Sequence, residues 1–233
     1  MMPHFSEPHP TTSSPPHVVL LLADQGVGEA FLLDFFYRQN ARIWLVGESE
    51  SNLLALCKRY PDSSRLVPFA WDAAQDTAAQ ELAYIIEHQW KTIDVLVHCG
   101  VQAPVGLDNL EEANSFTRSL WETLKPFIKL MAAKGGQLLL FPVWAMYEPL
   151  GEHQNQLSAL AGFVRMLATD LAQWQIACNV VHLPARRPDW QPFWTHPPSR
   201  KQMQQLLKQL IEGSTGKITG SEQYLDAETW AKA

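Results

Sequence analysis

An uninterrupted apolar run near the start of the chain constrains the fold more than any other feature. Six apolar residues, Val18–Ala23, predict a strand buried on both faces, because no polar residue alternates with them. Gly26 and Gly28 follow, and a helical apolar pattern begins at Ala30. Glycines at such a turn let the backbone approach a pyrophosphate, and a helix N-terminus offers free N–H groups. The stretch is typical of a nucleotide-binding α/β unit, although a tight turn alone would also require glycine.

The rest of the chain alternates between predicted strands and helices. Strands separated by helices, each strand a nearly continuous apolar run, favour a parallel sheet covered on both sides. We therefore expect a Rossmann-like, doubly wound α/β fold with a parallel sheet of about seven strands. The remaining predicted strands are 41–46, 66–71, 93–98, 137–143, 177–183 and a short 217–220; the predicted helices are 30–37, 51–60, 77–89, 114–134, 155–173 and 200–212. Residues 102–112 are predicted to form a loop, and Pro126 to kink its helix.

The length and composition indicate one domain. The chain has 233 residues, of which 46% are hydrophobic, so a single core can bury roughly 70–75% of the unfolded surface. Residues 1–16 are rich in proline, serine, threonine and histidine, and we expect them to form a disordered tail. Residues 17–233 are then the single domain.

Charge and cysteine usage exclude several classes of partner. The net charge of -6 disfavours nucleic acid and anionic membrane surfaces. Cys57, Cys99 and Cys178 lie in apolar contexts without zinc-binding spacing, which predicts free thiols in a reducing compartment, the cytoplasm, and no metal. No apolar run reaches the roughly 20 residues of a membrane span, and no signal-peptide core is present.

In order and spacing, the elements resemble the short-chain dehydrogenase/reductase family over residues 17–226. That family carries a T-G-x-x-x-G-x-G turn, an acidic residue at the adenine, an N-N-A-G segment, an Ala-Gly pair after the catalytic lysine, and a P-G. The matching positions are Gly26-Val27-Gly28, Asp72, Asp94-Val95-Leu96-Val97 (before N-N-A-G), Ala161-Gly162 and Pro184. The resemblance implies a nicotinamide dinucleotide at the carboxyl edge of the sheet.

The resemblance also implies a tyrosine, a lysine four residues later and a serine about thirteen residues upstream. Setting the Ala-Gly pair in register places Gln156 at the tyrosine, Leu160 at the lysine and Val143 at the serine. Glutamine has no titratable proton, leucine no charge and valine no hydroxyl, so these degenerate positions cannot perform the family's acid–base chemistry. The family's helical asparagine falls at Asn114 or Ser115.

Other polar side chains could take over the chemistry. Tyr147 and His153 precede the helix that carries the degenerate positions, and His182 lies near the end of the sixth strand. No lysine occurs between residues 134 and 201, so no ammonium replaces the missing one. The alternative is that Tyr147 packs and His153 is an exposed side chain.

The predicted cofactor site departs from the family pattern as well. Leu22 stands at the first glycine, Asp24 adds a carboxylate where the pyrophosphate would lie, and His98-Cys99-Gly100-Val101 stands at N-N-A-G. Glu48, after the second strand, would repel a 2′-phosphate, so the resemblance implies NAD rather than NADP. The cofactor-binding residues expected from it are Gly26, Val27, Gly28, Glu48, Asp72, His98 and Pro184.

Three functions are compatible with these residues. The first is a non-catalytic protein that binds a dinucleotide or another small molecule, or serves as a subunit beside an active relative. The second is an active NAD-dependent oxidoreductase that uses atypical residues. The third is an assembly protein with an empty crevice, since the resemblance implies a homodimer or homotetramer paired through the helices near 114–134 and 155–173.

The segment 185–198 combines four prolines with two tryptophans and lies where the family builds its substrate lid. It predicts either a rigid apolar wall of a ligand crevice or a loop that packs its own aromatic side chains on the domain.

Overall fold

The computed structural model describes residues 18–23, 29–72, 75, 77–101, 110–142, 154–182, 197–212 and 219–224. Seven parallel strands form one sheet in the order β3-β2-β1-β4-β5-β6-β7. The strands are β1 Val18–Ala23, β2 Arg42–Gly47, β3 Leu66–Ala70, β4 Val95–Val101, β5 Gly136–Pro142, β6 Ile176–His182 and β7 Ser221–Tyr224. The helices are α1 Glu29–Arg38, α2 Glu50–Cys57, α3 Ala78–Trp90, α4 Leu110–Met131, α5 Gln154–Leu171 and α6 Pro197–Glu212. The predicted Rossmann-like, doubly wound fold is confirmed.

The helices cover both faces of the sheet. Apolar side chains of α3, α4 and α5 pack with alternate strand residues on one face, and those of α1, α2 and α6 pack on the other. The two clusters share no residue, since successive side chains of a strand point to opposite faces. The strands β1, β2, β4, β5 and β6 are mostly apolar because each of these two layers needs its own set of buried side chains.

The seventh strand was predicted at 217–220, and this position is wrong: β7 is Ser221–Tyr224. Gly220 turns the chain just before the strand with a φ of 68°, a backbone conformation that favours glycine. Its N–H donates to the carbonyl of Cys178 at 2.7 Å, and the Thr219 hydroxyl accepts from the Cys178 N–H at 3.0 Å. These bonds place β7 beside β6.

Several other boundaries differ from the prediction, and three of the differences change the description of the chain most. β4 continues to Val101, so the segment at the N-N-A-G position belongs to a strand. α4 begins at Leu110, inside the predicted loop, where two glutamates in its first turn favour the helix N-terminus, and it continues through Pro126. α6 begins at Pro197, because proline is well accommodated at the first helical position.

Asp94, part of the family-like run before N-N-A-G, joins three strands at the amino edge of the sheet. Its carboxylate accepts from the Val18 N–H at 2.7 Å and its own N–H donates to the Val18 carbonyl at 2.8 Å. Its carbonyl accepts from the Gln137 N–H at 2.9 Å. The structure therefore gives this residue a role in strand register.

Replacing Asp94 with alanine should lower the free energy of unfolding by about 2 kcal/mol, because the Val18 N–H loses a charged acceptor. Urea denaturation followed by circular dichroism measures this change. Glu87→Ala, at an exposed position of α3, is the matched control and should stay within about 0.5 kcal/mol of the parent. Equal effects of the two substitutions would contradict the structural role.

Candidate nucleotide-binding edge

The carboxyl edge of the sheet is where an open α/β fold binds ligands, at the point where the strand order reverses. Here that point lies between β1 and β4, which are neighbours in the sheet although two strands separate them in sequence. Among the residues that the structure describes, four polar side chains considered in the sequence analysis lie at or next to this edge: Glu48 follows β2, Asp72 follows β3, and His98 and His182 belong to β4 and β6.

Glu48 and Asp72 follow two neighbouring strands and are both exposed. The Trp71 N–H donates to the Gly47 carbonyl at 3.0 Å, which keeps the two strand ends together. The Gln75 side-chain amide donates to the Asp72 carboxylate at 3.1 Å. An acidic side chain about 20 residues beyond a glycine turn can accept a hydrogen bond from the 2′-hydroxyl of an adenosine ribose. Glu48 follows the glycine turn at about this spacing, and Asp72 follows the neighbouring strand.

Leu22 does not extend into the crevice at the first-glycine position. β1 continues through it to Ala23, and the Leu22 side chain is fully buried in the core beneath α3, α4 and α5. The leucine thus lengthens the strand and adds core packing.

His98 lies on the same sheet face, between Leu22 of β1 and Leu140 of β5. Its side chain is buried, and its Nδ1 atom has no hydrogen-bond partner within the described segments. Burial lowers the pKa of His98 to about 4, and a hydrogen bond with the Cys99 main chain opposes that change. The imidazole is therefore neutral at physiological pH and supplies no positive charge for a pyrophosphate.

Leu160, the position that the sequence resemblance assigns to the family's lysine, is fully buried and belongs to the same core cluster as Leu22 and Leu140. The helix α5 presents this position to the sheet. An ammonium here would lose its hydration, which disfavours its charged form.

Several predicted site residues lie outside the described residues, and their roles stay predictions. For Gln156 the structure describes the backbone, which belongs to α5, and not the side chain. The others are Asp24, Gly26, Val27, Gly28, Val143, Tyr147, His153 and Pro184, together with 185–196 of the tryptophan-bearing segment and the tail 1–16.

The two positions proposed for the helical asparagine lie in the second turn of α4. Asn114 and Ser115 are both exposed on α4. Asn114 lines a groove between α4 and α5, whereas Ser115 lines a groove between α3 and α4. The role that the resemblance implies for this position stays a prediction.

A carboxylate that sequence reasoning did not identify contacts His182. Glu222 of β7 lies with its Oε2 atom 3.2 Å from Nε2 of His182, and its Oε1 atom accepts from Nη2 of Arg165 at 3.2 Å. Burial lowers the pKa of His182, and the Glu222 carboxylate opposes this change. The arrangement orients a buried imidazole through a carboxylate that is itself paired with a surface arginine.

Two further properties concern the described segments. They contain no group of three histidine, cysteine, aspartate or glutamate side chains arranged to hold a metal ion. In the part of the chain that the structure describes, no helix is both long and apolar enough to cross a membrane.

Comparison with solved structures identifies the fold. A short-chain type dehydrogenase/reductase from Mycobacterium marinum superposes with a TM-score of 0.67 at 17% identity, covering 91% of this chain and 94% of that one. The enoyl-[acyl-carrier-protein] reductase (NADH) of Aquifex aeolicus VF5 gives 0.67 at 16% identity, with 90% and 95% covered. RhlG of Pseudomonas aeruginosa, solved as an NADP active-site complex, gives 0.66 at 16% identity, with 91% and 96% covered.

No protein-family model matches the sequence, and no curated protein sequence is a significant match. The similarity therefore lies in the three-dimensional structure: the chain has the fold of the short-chain dehydrogenases/reductases, as the sequence resemblance implied.

Proposed function

We propose that this protein, with its short-chain dehydrogenase/reductase fold, is a non-catalytic NAD-type binding protein or oligomer subunit that has lost the family's hydride-transfer residues. The observation that carries the proposal is the burial of Leu160. The position that would need an ammonium at the cofactor is occupied by a side chain with no exposed surface.

The chemistry of the family explains why this one position matters. A lysine lowers the pKa of the neighbouring tyrosine and holds the nicotinamide ribose. With Leu160 in the core and glutamine at position 156, no proton donor is held in that register. Losing positioned acid–base help alone costs roughly 10²–10⁴ in rate.

The proposal that the ligand is an NAD-type dinucleotide rests on Glu48 and Asp72. The Aquifex and Pseudomonas neighbours are described with NADH and NADP respectively, which supports a nicotinamide dinucleotide as the class of ligand. Residues 43–57 contain no lysine or arginine, so the end of β2 offers a carboxylate and no cation for a 2′-phosphate. When bound, NAD would supply a hydride donor or acceptor, and Glu48 would hold its adenosine ribose.

Calorimetry with NADH and NADPH tests this ligand. The unmodified protein should bind NADH with a micromolar dissociation constant and NADPH at least about tenfold more weakly, a difference of roughly 1.4 kcal/mol. Glu48→Arg should reverse the preference, because the guanidinium can pair with the 2′-phosphate. Glu50→Arg, an exposed position in the first turn of α2, should leave it unchanged. If neither dinucleotide binds at millimolar concentration, the proposal of a dinucleotide ligand fails, and the proposal that the protein is an oligomer subunit remains.

The His182–Glu222 contact favours a second candidate function, an NAD-dependent oxidoreductase that uses atypical residues. A carboxylate that orients an imidazole is a common arrangement for a general base. Under this alternative, His182→Gln should lower turnover by roughly 10²–10⁴, whereas Gln204→Ala on α6 should not. A different result would assign the catalytic role to Tyr147 or His153 instead. In that case the unmodified protein is active, His182→Gln retains the activity, and a Tyr147→Phe, His153→Ala double variant loses it.

The assembly and location complete the proposal. The family resemblance supports a homodimer or homotetramer that pairs through α4 and α5. Cys57, Cys99 and Cys178 are all buried free thiols, which supports a cytoplasmic protein in a reducing compartment.

A further inference from the structure

The edge strand β7 makes polar contacts with the domain where the central strands make apolar ones. It is four residues long, and residues 221–223 are only half-buried. Its neighbour β6 is buried along its whole length. Of the described side chains of β7, none belongs to either apolar core cluster. A short strand with few buried apolar contacts opens at a lower free energy than the core strands do.

Side-chain hydrogen bonds supply part of the attachment of β7 to β6. The Oδ1 atom of Asn179, a fully buried residue of β6, accepts from the Ser221 N–H at 3.2 Å and from the Ser221 hydroxyl at 2.8 Å. The Gln223 side-chain amide donates to the same hydroxyl at 2.9 Å. Each such bond contributes only about 1 kcal/mol net, because water forms similar bonds when the strand separates. The bonds therefore fix the register of β7 without making its opening costly.

A carboxylate of β7 connects the strand to both β6 and α5. The two oxygens of Glu222 contact Nε2 of His182 and Nη2 of Arg165, each at 3.2 Å. The Arg165 side chain is 68% exposed, whereas that of His182 is 3% exposed. The strand on the other side of β6, β5, contains no charged residue. Within the described segments, the charges next to His182 are therefore those of Glu222 and Arg165.

We infer that β7 is a latch that opens independently of the rest of the sheet, and that acid favours the open state by protonating His182. The inference goes beyond the proposed function, because it requires neither a dinucleotide nor a second copy of the chain. A protonated ring under the closed strand is a buried cation, which is less favourable than the same cation in water. The Glu222 carboxylate offsets part of this cost, but burial still lowers the pKa of His182. The open form therefore takes up the proton at a higher pH than the closed form, and the equilibrium shifts toward opening as the pH falls.

Opening of β7 changes the carboxyl edge of the sheet. His182 is the last residue of β6, so its imidazole becomes accessible at the edge that forms the candidate nucleotide site. Residues 179–182 of β6 also lose the strand with which they pair. The latch therefore covers an imidazole and a strand edge at neutral pH and makes both available in acid.

Hydrogen–deuterium exchange followed by mass spectrometry tests the latch at about pH 7.5 and about pH 5.5, on either side of the ordinary histidine pKa. Protection is corrected for the intrinsic pH dependence of amide exchange, and β5 serves as the internal reference for unfolding of the whole domain. Residues 219–224 should be less protected than β5 at both pH values. Relative to β5, their protection should fall at least about threefold on acidification, because a pKa difference of one unit allows up to about tenfold. In His182→Gln this decrease should disappear, since glutamine can form hydrogen bonds but does not titrate in this range.

Two further variants test the ion pairs. Glu222→Gln removes the charge that favours the protonated ring in the closed form, so the decrease in acid should be larger than in the parent. Arg165→Gln should lower the protection of residues 219–224 by about twofold at both pH values, because the closed form loses an exposed ion pair. Arg38→Gln is the matched control: Arg38 pairs with Asp34 on α1 and is 67% exposed, so its loss should leave residues 219–224 unchanged.

Three results overturn the inference. The first is protection of residues 219–224 equal to that of β5, because β7 then opens only when the whole domain unfolds. The second is protection that does not fall on acidification in the parent, and the third is an equal fall in His182→Gln and in the parent. Should His182→Gln weaken the whole domain, as judged from β5, Glu222→Gln carries the same test of the titration. None of these results depends on binding of NADH, so the proposed function is tested separately by calorimetry.

Discussion

Replacing Leu160 with lysine should lower the free energy of unfolding by about 3–5 kcal/mol at neutral pH, the cost of an uncompensated buried charge. The Leu160 side chain has no exposed surface and lies in the core cluster beneath α5. Burial would lower the pKa of the new ammonium below that of a lysine in the unfolded chain. The loss of stability should therefore shrink as the pH is raised from about 7 toward 10, where the unfolded lysine also loses its proton.

Urea denaturation at both pH values measures this effect. Ser158→Lys is the matched control, since it adds the same charge to an exposed position of the same helix and should change stability by less than about 0.5 kcal/mol. Adding Gln156→Tyr to Leu160→Lys should restore no dehydrogenase turnover. A Leu160→Lys protein as stable as the parent, with tighter NADH binding, would show that position 160 faces the crevice, and the proposal of a lost catalytic site built into the core would fail.

Acidification from about pH 6.5 to pH 4 should remove about 3 kcal/mol of stability through His98, at about 1.4 kcal/mol for each unit between the unfolded and folded pKa values. The folded pKa, about 4, lies below the value of an exposed histidine. The neutral ring is therefore favoured by folding, and its contribution is fully present above the unfolded pKa. It is lost as the pH falls, because the unfolded chain takes up the proton first.

Measuring the free energy of unfolding against pH for His98→Leu and for the parent isolates the contribution of His98. The variant should lose most of the pH dependence in this window, since leucine fits the apolar surroundings set by Leu22 and Leu140. A residual slope of the same sign should remain from His182, whose pKa burial also lowers. His88→Leu, an exposed position on α3, should retain the parent's slope. If the free energy of unfolding changes with pH equally in His98→Leu and in the parent, then burial of His98 does not cause the pH dependence.

The strands β1 to β6 were predictable because each is a mostly apolar run, and all of them except the edge strand β3 are almost entirely buried. β7 was placed too early because it is a short edge strand of polar residues, Ser221–Tyr224, and Gly220 and Thr219 dock it through hydrogen bonds to β6. No periodicity in the sequence records bonds of that kind. The start of α4 was predicted too late for a different reason: acidic residues in the first turn of a helix resemble a polar loop in the sequence.

At the candidate site, the residue types could be read from the sequence, but their surroundings could not. Glu48 and Asp72 follow their strands as expected, because a strand end is a local feature of the chain. The identity of Leu160 excluded an ammonium from the sequence alone.

The sequence by itself determined the doubly wound fold and the chemistry that positions 160 and 156 cannot perform, because apolar patterning and residue type are local properties. The tertiary structure alone decided that Leu22 and Leu160 lie in one core layer and that His98 is buried between two leucines. It also brought Glu222 to His182 across 40 residues of chain. Strand register and helix docking set these contacts, and both follow from packing between segments that are distant in the sequence.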